Sequence, residues 1–157
     1  MNPPADYPPV TPYLAVHDAA KAIEFYKAAF DAEERMRLDD QKTGKIGHAE
    51  IAIRGQVIML ADEYPGMNTS PKTLGGASTC FALMVPDCDA AYQQAVAAGA
   101  TSVRPPNDAF YGHRTAMVTD PFGHPWSFQQ ELEKQSPEET QRRWDEMGGS
   151  CDSSSAA

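Results

Sequence analysis

A repeated opening constrains this chain more than any single motif does. Val16-x-Asp18 returns as Val85-x-Asp87, and each copy leads at the same distance into an alanine-rich helical stretch. Chance seldom preserves the order of elements as well as residue class, so the chain reads as two copies of one supersecondary unit. In the first copy a short strand, residues 11–17, precedes Asp18, which is placed to cap a helix. Ala19, Ala22, Ile23, Tyr26 and Phe30 form the apolar stripe of that helix, while Lys21, Glu24 and Lys27 face water. Alternating runs follow over residues 33–38, 48–53 and 56–61, divided by the polar turn from Asp39 to Gly44 and by the tight Arg54-Gly55 connection. The order is β-α-β-β-β.

The second copy repeats it. A strand over 79–85 leads to a helix capped by Asp87 or Asp89, with Ala91, Tyr92, Ala95 and Val96 as its stripe and Gly99 as its stop. A strand from Ala100 is expected to break at Arg104-Pro105-Pro106. The copy closes on a hairpin around Asp120-Pro121-Phe122-Gly123-His124, where proline fixes φ at the opening of the turn and Gly123 can supply the positive φ that ends it. Beyond it, Ser136-Pro137-Glu138-Glu139 starts a helix with serine at the N-cap, proline at the first helical position and glutamate three after the cap. Trp144 and Met147 are placed to pack that helix back onto the sheet. The expected organisation is an extended arm over 1–9, modules over 10–61 and 79–131 joined by a linker over 62–78, a C-terminal helix over 132–149 and a disordered tail over 150–157.

Composition excludes several function classes. A formal net charge of −9 over 157 residues argues against nucleic-acid binding, which needs Lys and Arg to neutralise phosphates, and weakly favours cationic ligands. Spanning a membrane takes an apolar run of roughly 20 residues, and the chain has none. Met1-Asn2-Pro3-Pro4 lacks the basic start and apolar stretch of a signal peptide, so a cytoplasmic protein is expected. Cys80, Cys88 and Cys151 are odd in number and show no Cys-x-x-Cys spacing, which predicts reduced thiols; Cys88, in the first turn of a helix, is read as inert.

The paired modules, the Val-x-Asp helix entries, Ala22-Ile23-Glu24-Phe25-Tyr26 and Asp120-Pro121-Phe122-Gly123-His124 together resemble the vicinal oxygen chelate superfamily, which includes glyoxalase I, bleomycin-resistance proteins, fosfomycin-resistance enzymes and extradiol dioxygenases. Gly47-His48-Ala49-Glu50, the run from Val57 to Asp62 and Phe110-Tyr111-Gly112 look most like its PhnB-like subfamily, although His113 and Pro125 depart from the subfamily's usual Asp and basic residue. The resemblance implies an α+β fold of paired βαβββ modules with curled mixed sheets around a cavity, plus a C-terminal helix, in a chain that forms homodimers. It does not fix a reaction.

The superfamily's usual metal positions, carried over by motif, fall on Thr11, Met59, Cys80 and Ser127. A divalent ion needs three or four oxygen, nitrogen or thiolate donors, and a thioether with two hydroxyls is a poor substitute. No metal or other cofactor is therefore expected; the alternative is a displaced site of His48 and Glu50 with His113 or His124. The expected cavity wall is Tyr13, His48, Glu50, Met59, Tyr111, Arg114 and Trp126, an apolar lining with a few orienting polar groups. Core packing is the competing reading for its aromatic and Met members, and an ion pair with Glu50 the competing reading for Arg114. Three functions follow: a metal-free protein that binds a small molecule, a metal-dependent lyase or isomerase of glyoxalase type, and an antibiotic-sequestering resistance protein.

Overall fold

Asp18 closes the first helix as its position predicts. In the computed structural model, which describes residues 7–149, its carboxylate accepts from Lys21 N. Asp62, at the far end of the same module, accepts from Ala19 N at 2.9 Å and from Ile46 N at 2.7 Å. Two of the free N–H groups at the helix start are thereby satisfied. This helix, α1 (Ala19–Phe30), follows β1 (Tyr13–Val16) and precedes the meander β2 (Glu33–Asp39), β3 (Ile46–Ile53) and β4 (Gln56–Asp62). Arg54 and Gly55 both take positive φ, 49° and 82°, the geometry of a two-residue type I′ hairpin turn.

The long linker contains a single helical turn, α2 (Pro71–Leu74), and then the order recurs as β5 (Phe81–Met84), α3 (Cys88–Ala97), β6 (Thr101–Asp108), β7 (His113–Thr119) and β8 (Pro125–Glu131). Of the two candidate caps it is Asp87 that accepts from Ala90 N, and Gln130 Oε1 accepts from Cys88 N at 2.9 Å, the role Asp62 has for α1. Each module makes an open four-stranded mixed sheet, in the orders β1-β4-β3-β2 and β5-β8-β7-β6, with the first pair parallel and the others antiparallel.

One face of each sheet is packed against helices. In the first sheet Leu14, Val16, Ile51 and Leu60 are buried on that side, and in the second Ala116, Val118, Trp126 and Phe128. The two modules share this layer: the Phe30 ring lies 4.5 Å from that of Trp126, and Gln94 on α3 donates to the Ala28 carbonyl and to Asp31. The Asp120 turn fastens the joint. Its carboxylate, 4% exposed, accepts from Phe122 N and His124 N on one oxygen and from the Tyr26 hydroxyl and Trp126 Nε1 on the other. Gly123 takes φ +95°, and a Cβ there would lie 2.9 Å from Pro71 Cβ, so both conformation and space require glycine.

Two expectations need correction. The strand from Ala100 does not break at Arg104-Pro105-Pro106: β6 runs from Thr101 to Asp108 with register shifts on either side of Arg104. It is an edge strand, where prolines that cannot donate are tolerated and bulges absorb the irregularity. The C-terminal helix α4 (Pro137–Glu146) packs not on a sheet but on the loop before β7, with Trp144 5.4 Å from Phe110, while Met147 stays exposed. The described part of the N-terminal arm meets its own module through the Tyr7 hydroxyl, which donates to Glu50. The rest of the arm and the expected tail lie outside the described residues. Among those residues no helix is long and apolar enough to cross a membrane.

Candidate functional site

Pairing two strands in register puts opposed side chains on one face. Tyr13 on β1 opposes Met59 on β4, Met59 opposes Glu50 on β3, and Glu50 opposes Met36 on β2, so these four form a row across the helix-free face of the first sheet. His48 lies two residues from Glu50 on the same face, opposite Leu38. Strand alternation thus assembles four of the seven expected wall residues, Tyr13, His48, Glu50 and Met59.

Their polar groups are linked. The Tyr13 hydroxyl lies 2.9 Å from His48 Nδ1, and His48 Nε2 lies 3.5 Å from Glu50 Oε1, the long limit of a hydrogen bond. A neutral imidazole protonated on Nε2 satisfies both contacts, accepting from Tyr13 and donating to Glu50. The Tyr7 hydroxyl donates to the same Glu50 oxygen at 2.7 Å, and the Arg35 guanidinium lies over the Tyr7 ring. Glu50 is consequently only 4% exposed, although Tyr13 beside it is 52% exposed. Desolvation still holds the Tyr13 phenol above its ordinary pKa.

The helix-free face of the second sheet carries the row Ala82, Ser127, Met117 and Arg104, in the order β5, β8, β7, β6. Its polar groups form a second chain, in which His113 Nδ1 lies 3.4 Å from Gln129 Oε1 and Gln129 Nε2 donates to Ser127 Oγ at 2.7 Å.

The other expected residues lie elsewhere. Trp126 is 1% exposed on the helix-packed face, among Tyr26, Phe30 and Phe81. Arg114 does not meet Glu50; it pairs with Asp89 on α3 and with Asp108. Tyr111 packs between Phe110 and His113 in the loop before β7. His124 Nε2 is 3.2 Å from the Ala15 carbonyl. A groove of about 460 Å³ lies between the β3–β4 hairpin and β5, and one of about 480 Å³ lies between β1 and the linker; Phe81 borders both, and Trp126 reaches the first, which is lined mainly by apolar side chains. Sequence reasoning missed Tyr7, Met36, Met84, Met117 and Arg104. The signal for the last four was the repeat itself, since applying strand alternation to both copies marks the same face in each.

The sequence model of the Glyoxalase family, described as the glyoxalase/bleomycin resistance protein/dioxygenase superfamily, matches residues 9–128. The chain belongs to this superfamily. It is 41% identical over 145 residues to the uncharacterized protein Rv0887c of Mycobacterium tuberculosis H37Rv, covering 90% of this chain and 85% of that one. The solved structure of the Arabidopsis thaliana gene product At5g48480 superposes with a TM-score of 0.63 at 29% identity, over 78% of this chain and 98% of the other. The Bacillus cereus PhnB protein, titled a putative 3-demethylubiquinone-9 3-methyltransferase, shares the fold with a TM-score of 0.62 at 17% identity, over 78% of this chain and 99% of its own.

Superfamily membership raises the question of a metal at the positions the resemblance marked. Met59 and Ser127 occupy equivalent places in the two rows and offer a thioether and a hydroxyl. The Thr11 hydroxyl donates to the Pro8 carbonyl, and desolvation pushes the Cys80 thiol up, away from thiolate. Such donors do not fit a divalent ion. Among the described residues, no three His, Cys, Asp or Glu side chains converge to replace them.

Proposed function

We propose that this protein binds a small organic molecule on its helix-free sheet faces, without a metal, and that it does so as a homodimer. One observation carries the reading: of the seven methionines, Met36, Met59, Met84 and Met117 lie on these two faces, and Met36 and Met59 flank a nearly buried carboxylate with oriented partners. Thioether side chains adapt to varied ligand shapes, while Glu50, His48 and Tyr13 supply the few fixed polar contacts that orient a ligand. Val10 and Leu38, 84% and 57% exposed, leave apolar surface for a second copy to cover.

The test is a thermal-shift screen of antibiotics and small metabolites on protein purified without chelator, with elemental analysis of the same sample. A ligand at about 100 times its Kd should stabilise the protein by about 2.7 kcal/mol. Glu50→Gln and His48→Ala should lose that shift while keeping their own folds. No shift across the panel, or stoichiometric bound metal, would overturn the reading.

The chain Tyr7–Glu50–His48–Tyr13 favours a second reading, a lyase or isomerase of glyoxalase type, because it sets a carboxylate base against an imidazole on the ligand face. Turnover of a screened ligand, or lactoylglutathione formation, would select it. Stabilisation by one antibiotic class without turnover would select sequestration.

A further inference from the structure

Arg104 stands out among the charged groups of this acidic chain. Its Nε is buried and has no hydrogen-bond partner, and among the described residues no carboxylate lies within ion-pair distance of its guanidinium. A desolvated N–H without a partner is disfavoured, and such groups in a native fold usually have one that is not protein. The surroundings show what kind. Arg104 opposes Met117, which opposes Ser127, on the helix-free face, and its charge is felt at the Cys80 thiol beside Ser127. The Ser127 Oγ already accepts from Gln129, so its own proton remains to be donated. An arginine edge and a hydroxyl proton on one face are both donors, and the acid that the register places on that face, Glu131, opposes His113, four residues along β7 from the Met117 that Arg104 opposes.

We propose that the helix-free face of the second sheet is an oxyanion subsite, in which Arg104 and Ser127 bind the carboxylate or phosphate of a small molecule whose apolar body lies on Met84 and Met117. The guanidinium edge formed by Nε and an Nη matches two oxygens of either group. This rests on the reading that the helix-free faces bind ligand, and it names the ligand's chemistry.

The test uses the full chain with methyl-labelled methionine, titrated with benzoate, phenyl phosphate, inorganic phosphate and, as the neutral control, benzamide. Benzoate or phenyl phosphate should shift the Met84 and Met117 methyl signals and bind about 10- to 100-fold more tightly than benzamide, as charge-assisted hydrogen bonds do. Arg104→Gln should remove that preference. Arg104→Lys, which keeps the charge and guards against a folding defect, should retain only part of it, and Ser127→Ala should weaken both anions. Phenyl phosphate bound alongside inorganic phosphate assigns the subsite to phosphates; benzoate bound without inorganic phosphate assigns it to carboxylates. Anions that bind no better than benzamide overturn the subsite, as does undiminished anion binding by Arg104→Gln. If benzamide still shifts the four face methionines, the wider reading survives that failure; if no probe shifts any of them, the wider reading falls too.

Discussion

Replacing Tyr26 with Phe removes one oxygen atom from the joint between the modules, and the structure sets the consequence. Tyr26 is fully buried on α1, and its hydroxyl donates to Asp120 Oδ2 at 2.8 Å; Trp126 Nε1 donates to the same oxygen at 3.0 Å. A hydrogen bond to a charged group contributes about 1.5–3 kcal/mol, and the buried carboxylate would keep only three of its four donors, so a loss of about 2 kcal/mol is expected. For a chain of this size that lowers Tm by about 4–8 °C. The pH dependence adds a sharper test. Desolvation, and then the Asp120 charge, raise the Tyr26 phenol well above its ordinary 10.0. Above that pH the unfolded chain releases a proton that the folded chain keeps, so this residue's contribution falls by about 1.4 kcal/mol per pH unit as pH rises. Tyr26→Phe has no such proton. The stability gap between the two proteins, measured by urea denaturation followed by circular dichroism, should therefore be about 2 kcal/mol near neutrality and narrow by about 1.4 kcal/mol one pH unit above the ordinary tyrosine value. A gap that is absent, or that stays constant into the alkaline range, would refute the role given to this hydrogen bond.

Gly123→Ala places a Cβ 2.9 Å from Pro71 Cβ at φ +95°, and should lower stability by about 1–3 kcal/mol in thermal denaturation. Brief alkylation at neutral pH, read peptide by peptide in a mass spectrometer, should label exposed Cys80 but leave Cys88 untouched until denaturant is added, because Cys88 is fully buried and desolvation raises its thiol. Arg142 and Arg143 hold the Glu139 carboxyl at about 2, so its contribution to α4 is present above the ordinary 4.5 and is lost as pH falls toward about 2. Trp144 fluorescence should report that loss in the wild type, and Glu139→Gln should remove the dependence over that window.

What the sequence made legible was local. Asp18, Asp87 and Ser136 lie at helix starts because their side chains accept from nearby N–H groups, a preference that depends little on the rest of the fold. The Asp120 hairpin was legible for the same reason. What it hid was the direction of each face. Trp126 and Ser127 alternate as a half-buried strand should, yet which of them meets the helices depends on a layer assembled from α1, far away in sequence. Arg114 likewise finds its acids on α3 and at the end of β6, pairings no spacing rule supplies.

The repeat also sharpens what the two faces can select. Equivalent positions in the two rows pair Tyr13 with Ala82, Met59 with Ser127, Glu50 with Met117 and Met36 with Arg104. The duplicated sheets therefore keep the same frame but differ in charge: the first face has a carboxylate where the second has a thioether, and the second has a guanidinium where the first has a thioether. The net charge of −9 argued for cationic ligands, yet at physiological salt the field of a distant exposed charge is screened within about 8 Å. Beyond that distance net charge acts on the rate of approach. Within it, under the binding proposed above, the guanidinium of one face and the nearly buried carboxylate of the other would decide what stays bound. A ligand that spans both faces would have to present an acceptor group to one and a donor group to the other, and composition alone pointed to only half of that requirement.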